Sequence, residues 1–289
     1  MFDITLKPAQ TEFVALPGGV ITQLYNITNN SDTSLTVDAS VLPWKPIGFD
    51  GSVSYDNVAG NPNIQFSTVT DTRLQSPFVL APKTTRQIIL KINISPNANL
   101  GDYYYTFFVS QTETNSLNNS FSGTSGKIGS HILLSVSQTE NPATHISVEK
   151  FTATPKFKDV FLTPITFNAQ INNESGYFFK TVGNITISKD NLVIKKISLT
   201  PLNVLSRNSR HLRCEPSCSV SPPFWPGAYT ATISFDPSVS DKSFSTTFFV
   251  FPFSLIVLLI IPAVLIITSL RLKSSLRKVT SLRGTDMPK

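Results

Sequence analysis

The residues best equipped for chemistry lie in one short stretch, RHLRCEPSCSVSPPFWPG, which holds both cysteines of the chain, Cys214 and Cys218, beside His211. In an exported domain a Cys-x-x-x-Cys pair most simply forms a local disulfide that pins a loop. The alternatives are two free thiols, or zinc held by His211, Cys214 and Cys218. A closed zinc site needs a fourth ligand, for which only Glu215 nearby or the distant His131 and His145 are on offer. Elsewhere catalysis finds little footing. The three histidines are scattered, with no His-Glu-x-x-His run to hold a hydrolytic metal. Gly123-Thr124-Ser125-Gly126 lacks the spacing of a nucleophile elbow and reads as a hairpin tip. Gly126-Lys127 lacks the upstream glycine and following hydroxyl residue of a phosphate loop. The acidic pairs Asp50/Asp56 and Asp236/Asp241 have the chemistry to flank a glycosidic bond, yet Asp at such places commonly hydrogen-bonds its own backbone in a turn. The expectation is a protein that is not an enzyme and carries no cofactor or metal.

The aromatic residues are the better lead to a binding site. Trp44 and Trp225 stand in Pro-flanked segments, Leu42-Pro43-Trp44-Lys45-Pro46 and Phe224-Trp225-Pro226, where strands give way to loops. Such rings serve as stacking platforms for sugars or as anchors in a protein interface, and equally as core or loop packing. In the run Tyr103-Tyr104-Tyr105 the middle residue must face opposite to its neighbours on a strand. Trp44, Lys45, Tyr104 and Trp225 are therefore the candidate ligand-binding residues. Asn26, Asn29, Asn93, Asn118, Asn173 and Asn184 each begin an Asn-x-Ser/Thr sequon, which a eukaryotic secretory pathway would read as a glycan acceptor and a bacterium would ignore.

The elements that must position these residues read as β-strands. Apolar and polar residues alternate in Leu35–Val41, in Ile88, Leu90, Ile92 and Ile94, in Ile132, Leu134 and Val136, in Ile165–Asn172 and in Tyr229–Ser234. Turn clusters separate them: Pro17-Gly18-Gly19, Asn29-Asn30-Ser31-Asp32, Pro96–Asn99, Asn172–Ser175 and Pro226-Gly227. This spacing predicts antiparallel sandwiches. The plan occurs twice. A strand ending in Asn-Asn-Ser-Asp has its counterpart in one ending in Asn-Asn-Glu-Ser, and Leu100-Gly101-Asp102-Tyr103 has its counterpart in Pro226-Gly227-Ala228-Tyr229. With Gln138–Ala143 as linker, the expected domains are 1–140 and 144–247.

From Phe248 to Leu270 the chain is almost wholly apolar, and as a helix this stretch reaches about 34 Å, enough to cross a bilayer core. The basic flank RLKSSLRKVTSLR follows at once, which marks the cytoplasmic side and places the domains outside. The expected organisation thus ends in a membrane span at 248–270 and a basic cytoplasmic tail at 271–289. Met1-Phe2-Asp3-Ile4 runs straight into strand-like sequence, so the reading is a mature form or a mis-assigned start, with a tail-anchored protein facing the cytosol as its rival. Overall charge is +6, but 271–289 holds six basic residues against Asp286 alone, so the body before it is close to neutral and nucleic acid is excluded as a partner. Charged residues make up 15% of the chain, against roughly a quarter in typical soluble domains, which suits an extracellular β-protein.

The opening ITLKPAQTEFVALPGGVITQLYNITNNSDTSLTV, the block LAPKTTRQIILKINISPNANLGDYYYTFFV, the strand PGAYTATISF and the tail together resemble the WxL-interacting surface proteins of Gram-positive-type bacteria. The resemblance implies an N-terminal immunoglobulin-like domain that binds peptidoglycan, a second that contacts partner surface proteins, one membrane helix and a short basic tail. The fold class expected is therefore all-β: two tandem immunoglobulin-like β-sandwiches followed by one C-terminal transmembrane helix. The expected function is non-catalytic, a plasma-membrane-anchored surface protein holding cell-wall glycan or surface protein partners. The rivals are a pilus-chaperone-like strand donor, a tail-anchored cytosolic adaptor and a cell-wall hydrolase accessory.

Overall fold

The computed structural model describes all residues except 1, 70–71, 113–125, 162, 222–223, 238 and 284–289; Asn118 and the Gly123–Ser125 tip lie outside the described residues. It is a β-protein with a C-terminal apolar helix. In chain order the first strands are β1 (Ile4–Lys7), β2 (Gln10–Ala15), β3 (Val20–Asn29), β4 (Leu35–Pro43), β5 (Lys45–Ile47), β6 (Ser52–Ser54), β7 (Ile64–Thr68), β8 (Phe78–Leu80), β9 (Thr85–Ile94), β10 (Gly101–Gln111) and β11 (Lys127–Val136). There follow β12 (Ile146–Thr154), β13 (Phe157–Asp159), β14 (Ile165–Asn173), β15 (Phe179–Lys180), β16 (Gly183–Lys189), β17 (Leu192–Leu199) and β18 (Asn203–Val204). The last are β19 (Ser209–His211), β20 (Cys214–Glu215), β21 (Ser219–Val220), β22 (Gly227–Phe235), β23 (Ser243–Phe251) and the helix α1 (Phe253–Arg283).

Two compact units divide the chain. The first comprises Met1–Glu149, Gln170–Thr181 and Pro201–His211. Its sandwich packs a four-stranded sheet, β1-β3-β9-β7, on a five-stranded one, β2-β11-β10-β4-β8. The alternation explains the packing. Ile88, Leu90, Ile92 and Ile94 on β9 and Tyr105, Phe107 and Val109 on β10 turn into one shared core with Tyr25, Ile27, Ile132 and Leu134. The chain changes sheets between β1, which pairs antiparallel with β3, and β2, which lies parallel to β11.

The repeated Asn-x-Ser turns have one physical explanation. Asn29 is fully buried, and its Nδ2 group donates to the carbonyls of Thr33, Leu80 and Ala81 while its Oδ1 accepts from the Ser31 N–H and hydroxyl. Asn173 repeats the arrangement: Nδ2 donates to the carbonyls of Tyr177, Val204 and Leu205, and Oδ1 accepts from the Ser175 N–H and hydroxyl. Each amide thus serves as a plug that bonds three backbone carbonyls at a turn. In both, the nitrogen that a glycan would need is engaged inside the protein, so these two sequons are turn motifs.

The second unit comprises Lys150–Ala169, Val182–Thr200 and Leu212–Lys289. Its main sheet has the order β13-β23-β22-β16-β17-β20. Phe167 of β14 brings its ring 6.0 Å from Phe248 of β23, and Phe248 stacks on Tyr229 of β22 at 5.2 Å, which places the core between these elements. Gly227 opens β22 at φ +140° as Gly101 opens β10 at φ +136°, a conformation that favours glycine, so the two glycine-led strands share more than their sequence.

The helix begins later than the apolar run does. Residues 248–251 belong to β23, where Phe248 and Val250 are buried in the sheet, and α1 starts at Phe253 after Pro252. Phe253–Lys273 is long and apolar enough to cross a membrane, reaching about 31 Å at 1.5 Å per residue, and none of it is buried in the protein.

Candidate functional site

In the first unit the Trp44 indole is buried rather than presented to solvent. It stacks on Tyr104 at 4.9 Å, meets His131 edge-on at 5.2 Å, and donates Nε1–H to the Tyr105 carbonyl at 2.8 Å. A ring so enclosed offers no platform for a sugar, which corrects the stacking expectation at this position; Lys45, next in the chain, is exposed. Tyr104 does face opposite to Tyr103 and Tyr105, as strand geometry requires, since those two pack toward the core. Its hydroxyl donates to Asp102 Oδ2 at 2.7 Å and accepts the Ser206 N–H at 2.9 Å. Asp102 also accepts the Ser135 hydroxyl at 2.5 Å and the Phe178 N–H at 2.6 Å.

Burial lifts the Asp102 carboxyl above its ordinary range despite these donors. Burial, reinforced by the Asp102 charge, pushes the Tyr104 phenol far up. Burial depresses His131, whose Nδ1 lies 2.9 Å from the Thr106 hydroxyl. The Asp102 carboxyl thus meets three donors, and the Tyr104 hydroxyl is engaged by both Asp102 and Ser206, which makes a knot of buried polar groups. Such a knot holds strands together.

In the second unit Cys214 and Cys218 are joined in a disulfide. Its loop sets β20 against the last two residues of β17, pairing Glu215 with Ser198 and Cys214 with Leu199. From Leu192 to Ile197 the outer edge of β17 has no ladder partner among the described residues. Leu192, Val193 and Ile194 are exposed there, and the pairing with β16 shifts register so that Ile194 forms a bulge. Lys195 and Lys196, also exposed, continue the edge. Consecutive exposed aliphatics on an open edge are unusual, because proteins normally guard such edges.

Trp225 is 81% exposed. The turn that carries it buries the preceding Phe224 against Tyr229 and Phe248 and fixes the Trp225 carbonyl by the Tyr229 hydroxyl at 2.8 Å. A groove of about 640 Å³ lies between Phe157, Gly227 and Phe249–Phe253, and a smaller hollow of about 170 Å³ lies between Val160, Phe161, Phe224 and Trp225. Behind them Lys158 is fully buried, with its ammonium 5.1 Å from the Phe224 ring centre, and burial lowers its pKa. Its neighbour Asp159 accepts the Ser254 N–H at 2.7 Å and the Ser254 hydroxyl at 2.9 Å, capping α1 from a separate strand. Among the described residues no three His, Cys, Asp or Glu side chains converge as metal ligands.

Of the expected site residues, then, Trp44, Lys45 and Tyr104 share the first unit and Trp225 belongs to the second. The β17 edge and the Asp159 cap escaped sequence reading. Leu192–Ile194 look like any apolar strand, and Asp159 meets its partner ninety-five residues away.

No family model matches the chain, and no curated protein matches it. Solved structures with similar strand arrangements exist at low identity. The E. coli chaperone DraB is 11% identical, with 85% of this chain and 98% of that chain covered at a TM-score of 0.39. The CupB2 chaperone of Pseudomonas aeruginosa is 11% identical, with 86% and 100% covered at 0.37. The Salmonella enterica SafA pilin–SafB chaperone complex gives 11%, 85% and 96% at 0.40.

Proposed function

We propose that this chain is a membrane-tethered, non-catalytic protein that holds an extended segment of a protein partner along the open edge of β17, outside the membrane. The observation that carries the reading is the exposure of Leu192, Val193 and Ile194 on an edge whose ladder, among the described residues, is closed only at Ser198 and Leu199. Backbone pairing along such an edge supplies affinity without catalysis, and side-chain pockets or charges supply choice. Lys195 and Lys196 set that choice. Opposite charges facing across a ladder stabilise it, so the preferred segment is acidic where it meets them. The helix supports the reading by confining both partners to one surface, which raises effective concentration and makes a weak edge sufficient. In this form the pilus-chaperone-like rival and the anchored surface protein merge: pairing by strand, held by a span. The outward orientation rests on the basic residues that follow the apolar run.

The test is a photoreactive residue at Val193 of the full chain in native membranes, with a second at the exposed Asp32 of the first unit as control. A discrete adduct at 193 that is lost when Lys195 and Lys196 are changed to Glu supports the reading. Labelling at 193 no greater than at 32 sinks it. Retention of the purified chain on cell-wall sacculi without any adduct at 193 would carry the glycan expectation instead.

A further inference from the structure

The exposed aromatic residues of the second unit gather where its sheet gives way to α1. Phe157 on β13 is 63% exposed and stacks on Phe249 of β23 at 5.5 Å, and Phe251 meets Phe253 at 4.8 Å. Phe161 and Trp225 stand exposed beside the smaller hollow. In a protein surrounded by water this surface would be a costly apolar patch with no cover.

Its position says what covers it. The groove is continuous with the helix, since Phe253 lines the groove and is also the first residue of α1. Pro252 alone separates the last residue of β23 from α1. Asp159, at the end of β13, caps the first turn through the Ser254 N–H and hydroxyl. The aromatic strands are thus bonded to the very turn at which the apolar span begins. Lys156 and Lys189 flank the patch, with the Lys189 ammonium on the Pro226 carbonyl at 2.8 Å. Aromatic rings at the mouth of an apolar span, edged by lysines, match the boundary between lipid headgroups and acyl chains.

We infer that Phe157, Phe161, Trp225, Phe249 and Phe251 form a seat that rests the second unit on the bilayer leaflet its helix enters. The inference rests on the reading that α1 spans the membrane. The seat immerses these rings at the interface, so the unit stands on the lipid rather than swinging above it on a stalk.

The test uses the full chain reconstituted into phosphatidylcholine vesicles whose acyl chains are brominated either near the headgroup or near the methyl end. Trp44→Phe leaves Trp225 as the sole tryptophan. Should that variant misfold, the difference between the wild-type chain and Trp225→Phe isolates the same signal. Flotation with the vesicles after an alkaline wash reports on the span separately. The expected result is co-flotation, a blue-shifted Trp225 emission, and quenching at least about twofold stronger from shallow bromines than from deep ones. Co-flotation with unquenched, red emission, or with quenching no stronger from shallow bromines, overturns the seat while leaving the span intact. A chain that washes off the vesicles overturns both.

Discussion

Replacing Asn29 by alanine puts the amide-plug explanation at risk. The side chain supplies two N–H groups shared among the Thr33, Leu80 and Ala81 carbonyls at 2.9–3.1 Å, and it accepts the Ser31 N–H at 3.0 Å and hydroxyl at 2.7 Å. At about 1 kcal/mol net per bond, losing two donated and two accepted bonds costs roughly 4 kcal/mol. Against a total stability of about 5–15 kcal/mol this is a large fraction. Asn29→Asp keeps the shape and the accepting oxygen but turns a second oxygen toward those carbonyls, so it should cost at least as much. Asn26→Ala, at a half-buried residue that accepts one bond from Gln87, should stay within about 0.5 kcal/mol. Asn173→Ala should match Asn29→Ala, because its bonds are the same set. Urea unfolding of the full chain in mild detergent, followed by tryptophan emission, gives each value. If Asn29→Ala and Asn29→Asp both fall within about 1 kcal/mol of the parent, the plug is not what stabilises these turns.

Other outcomes follow from the same structure. Burial holds His131 below its usual value of 6.5, so the folded state binds fewer protons than the unfolded chain; its contribution is present above about 6.5 and drains as pH falls through that value toward the folded pKa. Urea midpoints between about pH 7.5 and 5 should therefore fall more steeply for the parent than for His131→Gln. Gly183→Ala would place a Cβ 2.2 Å from the Ser234 carbonyl oxygen and 2.9 Å from the Phe235 Cα, backbone atoms of β22 that cannot swing aside. A loss of about 1–3 kcal/mol is expected in the same unfolding assay. Asp159→Ala removes the cap on α1, worth about 1 kcal/mol, and should speed hydrogen exchange at the Ser254 amide by roughly five- to tenfold in micelles, with exchange in mid-helix unchanged.

Strand content was legible because half-buried strands write their burial as alternation. Leu35–Val41 falls within β4, Ile88–Ile94 within β9, and Tyr229–Ser234 within β22. The start of the helix was not legible, because Phe248 and Val250 are apolar for a different reason from Phe253 and Leu255: the first pair is buried in a sheet core, the second is exposed. Hydropathy does not distinguish the two environments. Trp44 shows the same limit for sites. Its Pro-flanked position is compatible with a platform or a plug, and only the Tyr104 ring and the Tyr105 carbonyl decide between them. The Asp102 knot draws on Ser135, Phe178 and Ser206, whose meeting depends on tertiary folding and leaves no local pattern. At Asn29 and Asn173 the turn clusters were legible, but the sequon pattern alone is shared by a turn and a glycan acceptor, and only the buried amide contacts separate the two.

The join between β23 and α1 has a mechanical consequence. Near its C-terminal end β23 is flanked on both sides, with Val250 opposite Gly227 of β22 and Phe251 opposite Asp159 of β13. A pull transmitted from the helix therefore reaches two ladders at once, one antiparallel and one parallel. The β22 partner belongs to the same hairpin, with its open end at Gly227 beside Val250, so β13 is the strand outside that hairpin that holds this end of β23. The helix thus hangs from a strand held on both sides rather than from a single pairing.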